Sequence, residues 1–150
     1  MALDDLKQVY QAVLLDYAAS TKYRQPLANP AKEVSLVNES CGDRLTLQVD
    51  LAGGKISRIA CQAQGCAISQ ASATILASLA VQQPQAVLDR LQAAFWRMLE
   101  GQEISKEEEE LLGDAVLLKG VARFPARVKC AGLAWQALAE ALERKEQDDR

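Results

Sequence analysis

The first apolar positions of the chain recur every three or four residues, which is the spacing of an amphipathic helix with one buried face. These positions are Leu3, Leu6, Val9, Tyr10, Val13, Leu14 and Tyr17. We predict a helix that ends near Ala18. A loop should follow over residues 20–32, because Pro26, Asn29 and Pro30 interrupt the periodicity there.

Alternation of apolar and polar residues then replaces the helical spacing and predicts strands. The alternating apolar positions are Val34, Leu36, Leu45, Leu47, Val49 and Leu51. Ala52-Gly53-Gly54 marks a tight reversal into a third strand over residues 56–61. We therefore expect a small antiparallel meander with one face open to solvent.

Helical spacing returns in the second half of the chain. The predicted helices are 67–79, 84–101, one that begins with the capping-box pair Ser105 and Glu108, and a last one from Pro125 that carries Cys130 in its early turns, facing inward. The order of one helix, three strands and several helices predicts an α+β fold. We expect a single domain over residues 1–150, with a three-stranded antiparallel sheet and the N-terminal and C-terminal helices packed on it.

Charge and composition exclude several classes of protein. With 17 basic and 20 acidic residues, the net charge of -3 provides no basic field for nucleic acid. No apolar stretch approaches the roughly 20 residues that cross a bilayer, and the N-terminus has no basic region followed by an apolar one. We expect a cytoplasmic protein that binds neither nucleic acid nor membranes. Since the chain has no histidine, it cannot supply a Ser-His-Asp triad.

Three cysteines and one aspartate form a candidate ligand set for a soft divalent metal ion: Cys41, Asp43, Cys66 and Cys130. Without an export signal, metal binding or thiol chemistry is favoured over disulfides. Cys41 and Asp43 flank Gly42 in the predicted loop between two strands, and Gly42 permits the bend that aims both side chains inward. Two alternatives stay open: Asp43 could simply accept amide hydrogen bonds, and Cys130 could simply pack in the core.

The fourth cysteine, Cys61, has a different interpretation. It alternates with Ile59 on the inward face of the third predicted strand. We therefore expect it to be a small core residue and not a ligand.

Three ordered segments resemble the family of NifU N-terminal, IscU-like proteins, and in detail its SufU branch. They are Cys41-Gly42-Asp43, segment 65–72 (GCAISQAS) and segment 123–135 (RFPARVKCAGLAW). The resemblance extends over nearly the whole chain. Scaffold proteins of the IscU branch place a histidine before the last cysteine, where this chain has Lys129, and residues 101–121 would supply the extra segment of the SufU branch.

Two positions depart from the family pattern. The chain reads Leu15-Asp16-Tyr17 where the family usually has Asp-His-Tyr, and it has Cys61 where an aromatic residue is usual. Cys61 could thus act as an extra thiol that exchanges sulfur or oxidises with Cys66.

Arg127 and Lys129 could favour an anionic persulfide or dock a partner, but a solvated helix start explains both equally well.

The resemblance implies a SufE/NifU-like fold and a Zn2+ ion held by Cys41, Asp43, Cys66 and Cys130, with Cys41 as the catalytic sulfur acceptor. The implied partner is a SufS-type cysteine desulfurase, a pyridoxal-phosphate enzyme. Its histidine would replace Cys41 on zinc when the two proteins dock. The chain would act as a sulfurtransferase, or sulfur-accepting co-substrate, that passes sulfur to downstream iron–sulfur scaffold proteins. The resemblance also implies that it is a monomer when alone.

Two other functions remain open from the same residues. An IscU-type scaffold would build a transient iron–sulfur cluster on the same three cysteines. A zinc-stabilised module that only binds a partner would keep these thiols inert.

Overall fold

The chain folds into one antiparallel sheet and a set of helices, as shown by a computed structural model that describes residues 3–148 and the side chains of residues 8–143. The elements are α1 (Leu3–Ala19), β1 (Lys32–Asn38), β2 (Asp43–Ala52), β3 (Lys55–Gln64), α2 (Ala67–Ala80), α3 (Gln85–Leu99), α4 (Lys106–Leu112), a 3-10 helix (Gly113–Arg123) and α5 (Pro125–Asp148). The predicted α+β class is confirmed.

The three strands form the predicted meander in the order β1-β2-β3, with both pairs antiparallel. Val34 pairs with Leu47, and Leu47 pairs with Cys61 on the other side, so one row of apolar side chains crosses the sheet. All three are buried. On the opposite face, the hydroxyls of Ser35 and Thr46 lie 3.0 Å apart in an exposed cross-strand pair. The alternation seen in the sequence therefore separates a core face from a solvent face.

Helices α2 and α5 cover the core face of the sheet, and they also pack against each other. The Ser72 hydroxyl of α2 donates a hydrogen bond to the Ala131 carbonyl at 2.6 Å and accepts one from Trp135 Nε1 at 3.0 Å. Trp135 stacks on Phe95 of α3, with ring centroids 3.8 Å apart. Because these contacts are buried, they fix the position of the first turns of α5 relative to the sheet.

Helix α1 packs on α2, but its predicted buried face is only partly formed. Leu14 and Tyr17 pack against the core, whereas Val9 and Tyr10 are 47% and 48% exposed. Leu3 and Leu6 lie outside the part of the chain whose side chains the structure describes. Helical periodicity identified the apolar side of α1 correctly, but it carries no information about whether another element covers that side.

The segment between α3 and α5 contains the predicted capping box, in which Ser105 and Glu108 exchange side-chain-to-backbone hydrogen bonds at the start of α4. The Tyr17 hydroxyl donates a hydrogen bond to the Asp114 carboxylate, which links α1 to the 3-10 helix. Among the described residues, no helix is long and apolar enough to span a membrane.

Candidate metal centre

The turn between β1 and β2 presents Cys41. Asn38 and Asp43 pair across the two strands, and residues 39–42 connect them. The Asn38 carbonyl accepts hydrogen bonds from the amides of Cys41 at 3.3 Å and Gly42 at 2.8 Å. Gly42 has φ 73°, a conformation that favours glycine. The tight turn leaves Cys41 exposed at its tip and buries Asp43, which is the first residue of β2 and not a loop residue as the sequence suggested.

Cys66 is the N-cap of α2, directly before the helix that the sequence predicted over residues 67–79. Its backbone amide donates to Asp43 Oδ1 at 2.9 Å, and its Sγ lies 3.5 Å from Asp43 Oδ2. Gly65, with φ +129°, makes this approach possible, because a Cβ atom there would lie 2.0 Å from Asp43 Oδ1. Asp43 does accept an amide hydrogen bond, as one alternative held, but only with one of its two oxygens.

Cys130 approaches from α5 and is 1% exposed. Its Sγ lies 3.5 Å from Cys41 Sγ and 3.7 Å from Asn38 Nδ2. Burial raises the pKa of the Cys130 thiol well above its usual range, and hydrogen bonds with Asp43, Cys41 and Cys66 raise it further. The prediction that Cys130 faces inward is confirmed, and it faces the other candidate ligands rather than plain core.

Two pairs of donor atoms have a spacing suited to a tetrahedral metal ion. Bonds of about 2.3 Å to sulfur and about 2.0 Å to oxygen would separate two sulfurs by about 3.8 Å and a sulfur from an oxygen by about 3.5 Å. The Cys41–Cys130 sulfurs are 3.5 Å apart, and so are Cys66 Sγ and Asp43 Oδ2. The ligand atoms of Cys41, Asp43 and Cys130 all lie within 4.8 Å of one another. Cys66 is not one of these three mutually close residues, but it adjoins them through its contacts with Asp43 and Cys130.

The fourth cysteine lies in the core as predicted. Cys61 on β3 is fully buried, and burial raises the pKa of its thiol to about 12. A protonated, inaccessible thiol is a poor nucleophile. The structure therefore supports a packing role for Cys61 rather than the alternative of an extra reactive thiol.

Arg127 and Lys129 are both exposed in the first turns of α5. Lys129 borders an open groove of about 500 Å³ that Glu39 and Trp96 also line, beside the turn that carries Cys41. Neither side chain is held inside the centre. Both interpretations from the sequence therefore stay open: a role towards a persulfide or a partner, and a solvated helix start.

Two residues of the site were not found from the sequence. Gly65 makes room for Asp43, and Asn38 contacts both the Cys41 turn and Cys130. An asparagine four residues before a turn glycine is a recognisable turn signal, but its contact with a helix 92 residues later is not encoded locally.

A three-stranded sheet with helices on one face, and a thiol-carboxylate cluster at one end of that sheet, define a protein with a candidate thiolate metal centre. Residues 9–131 match the family model of the NifU-like N terminal domain. The chain belongs to this family, and thus to the iron–sulfur cluster assembly proteins that include IscU and SufU.

Some relatives of this chain are named IscU, and another is named SufU. The chain is 38% identical over 144 residues to the iron-sulfur cluster assembly scaffold protein IscU of Streptococcus pyogenes serotype M1. The alignment covers 96% of this chain and 89% of the relative. It is 31% identical over 142 residues to the zinc-dependent sulfurtransferase SufU of Bacillus subtilis (strain 168), with 95% of each covered. The crystal structure of FiSufU from Fervidobacterium islandicum AW-1 superposes with a TM-score of 0.83 at 30% identity, over 90% of this chain and 97% of that one.

Proposed function

We propose that this protein is a zinc-dependent sulfurtransferase that accepts persulfide sulfur on Cys41 from a SufS-type cysteine desulfurase and passes it on for iron–sulfur cluster assembly. One observation carries the proposal: Cys41 is exposed at the tip of its turn, whereas its neighbours Asp43 and Cys130 are each 1% exposed. A docking partner can therefore reach the Cys41 sulfur directly, while Asp43 and Cys130 stay inside the fold and Cys66 is only partly exposed.

Cys41, Asp43, Cys66 and Cys130 would hold the zinc ion, and the S–S and S–O spacings described above support that assignment. When bound, zinc would supply the positive charge that keeps these thiols deprotonated. The fold supplies the rest of the centre. The Cys66 amide fixes the Asp43 carboxylate, and the packing of α5 fixes Cys130.

The transfer step needs no oxidant or reductant. The Cys41 thiolate attacks the terminal sulfur of the desulfurase persulfide with its electron pair, so that a new S–S bond forms on Cys41. The S–S bond of the desulfurase persulfide breaks, and the cysteine of the desulfurase leaves as a thiolate. The sulfur then sits at an exposed position, where a downstream acceptor can take it by the same exchange.

A cluster scaffold is the second candidate function, because the relatives named as IscU scaffolds are 38% and 33% identical to this chain, against 31% for the named SufU. A scaffold would use the same thiols. We favour transfer because Lys129 occupies the position at which the resemblance implies a histidine in the scaffold branch, and this side chain is exposed.

The test is desulfurase turnover of free cysteine, with this protein as the sole sulfur acceptor and with iron absent. We expect a large stimulation that is lost in Cys41→Ala and retained in Cys61→Ala, a matched control because Cys61 is a buried core cysteine. No stimulation by folded, zinc-loaded protein with its cognate desulfurase would contradict transfer. Anaerobic loading with iron and sulfide, monitored by visible absorption, would then test the scaffold function.

A further inference from the structure

We propose that Asn38 is a positioning residue that makes Cys130 a resident ligand of the centre and leaves Cys41 as the reactive sulfur. The two sulfurs are only 3.5 Å apart, so a transfer protein needs a means to tell them apart. The inference rests on the proposed function, since it concerns which thiolate of the same centre reacts.

Asn38 contacts both sulfur-bearing segments at once. Its Nδ2 donates to Cys130 Sγ at 3.7 Å, and its Oδ1 accepts the Ser40 amide at 3.2 Å. Its backbone carbonyl accepts hydrogen bonds from the amides of Cys41 and Gly42. Asn38 is itself 7% exposed, and it faces Asp43 across the β1–β2 pair. One buried residue thus orders the turn of one sulfur through its backbone carbonyl and its side-chain oxygen, and its side-chain amide donates a hydrogen bond to the other sulfur.

An N–H donor changes what a thiolate can do. A hydrogen bond to an anionic acceptor is stronger than one between neutral groups, and it draws electron density from the sulfur. The sulfur then becomes a weaker nucleophile, because thiolate nucleophilicity falls with basicity. Groups that hydrogen-bond to metal ligands also fix the orientation of those ligands. The donor on Cys130 therefore adds an electronic difference to the difference in access between a buried and an exposed sulfur.

The two polar atoms of the Asn38 side chain can be separated by mutation. Asn38→Asp keeps an oxygen that can accept the Ser40 amide, but it replaces the donor to Cys130 with an acceptor. Asn38→Ala removes both and adds no charge. Glu39→Gln is the control, because it changes an exposed side chain of the same turn.

The experiment uses cobalt(II) as the metal and iodoacetamide as the thiol probe. In the cobalt-loaded protein, we expect the sulfur-to-cobalt charge-transfer absorption to move to lower energy in Asn38→Asp and Asn38→Ala, because a sulfur without the donor is easier to oxidise. In the same two variants, we also expect the ratio of alkylated Cys130 to alkylated Cys41 to rise about fivefold, because one hydrogen bond typically contributes a factor of about that size. Peptide mass spectrometry measures this ratio. Glu39→Gln should match the wild type in both readings.

An unchanged absorption and an unchanged alkylation ratio in a folded variant would overturn the proposal. Circular dichroism establishes folding, and if Asn38→Asp does not fold because of its added charge, Asn38→Ala carries the test. Neither reading requires a desulfurase. A failure of the proposed sulfur transfer would therefore appear only in the turnover assay, and a failure of the Asn38 proposal only in these two measurements.

Discussion

The carboxylate of Asp43 meets Cys66 with both of its oxygens: Oδ1 accepts the Cys66 backbone amide at 2.9 Å, and Oδ2 lies 3.5 Å from the Cys66 sulfur. One oxygen therefore anchors the side chain, and the other is presented to the thiol cluster. This contact joins the start of β2 to the start of α2, so the candidate centre depends on the folded domain rather than on any single motif.

Gly65→Ala should disrupt the centre. The new Cβ atom would lie 2.0 Å from Asp43 Oδ1, and φ is +129°, where an L side chain is strained. We expect weaker zinc binding and a loss of about 1–3 kcal/mol in the free energy of unfolding. Gly101→Ala is the matched control, since Gly101 also has a positive φ, +83°, but no atom lies within 4 Å of its added Cβ. Thermal unfolding and zinc titration measure both effects, and wild-type zinc affinity in Gly65→Ala would refute this account of the glycine.

Asp43→Asn separates the anchoring role of the carboxylate from its charge. The amide oxygen can still accept the Cys66 amide, so the variant should fold, but the anionic donor is lost. We expect zinc affinity to fall by at least about tenfold, and further in Asp43→Ala, which also loses the anchor. Competition with a chromophoric chelator measures the affinity. Equal affinities in wild type and Asp43→Asn would mean that Asp43 is not a ligand.

Tyr17→Phe should alter how stability depends on alkaline pH. The hydrogen bond from its hydroxyl to Asp114 raises the pKa of Tyr17 from 10.0 to about 12 in the folded protein. Below pH 10.0 the phenol is protonated in both states, so its contribution to stability is fully present. Between pH 10.0 and about 12, the unfolded state loses the proton first, and the contribution disappears as pH rises.

The measurement for Tyr17 is the urea midpoint of wild type and Tyr17→Phe across this pH range. The wild type should be the more stable protein below pH 10.0, and the difference should shrink as the pH approaches about 12. A difference that stays constant with pH would show that the Tyr17–Asp114 hydrogen bond does not contribute.

Cys61 should not react with thiol reagents in the folded protein. It is fully buried, and burial raises the pKa of its thiol to about 12. Treatment with iodoacetamide at neutral pH should label Cys41 and spare Cys61 until denaturant is added. Labelling of Cys61 at a rate close to that of Cys41 would restore the possibility that it exchanges sulfur.

Local patterns predicted most of the elements and the positions of the candidate ligands. The alternation through β2, the capping box at Ser105 and the inward direction of Cys130 each follow from a few neighbouring residues. The exposure of Tyr10 could not be predicted, because it depends on which surface α1 meets. The contact of Asn38 with Cys130 depends on the packing of α5 against β1, which no local pattern encodes.

The most direct test of sulfur transfer is to locate the sulfur. Zinc-loaded protein is incubated with its desulfurase and free cysteine in the absence of iron, and peptide mass spectrometry then finds which cysteine carries one additional sulfur atom. We predict that the sulfur is on the peptide that contains Cys41, with Cys66, Cys130 and Cys61 unmodified. Sulfur on another cysteine, or on none while the desulfurase turns over, would contradict the account.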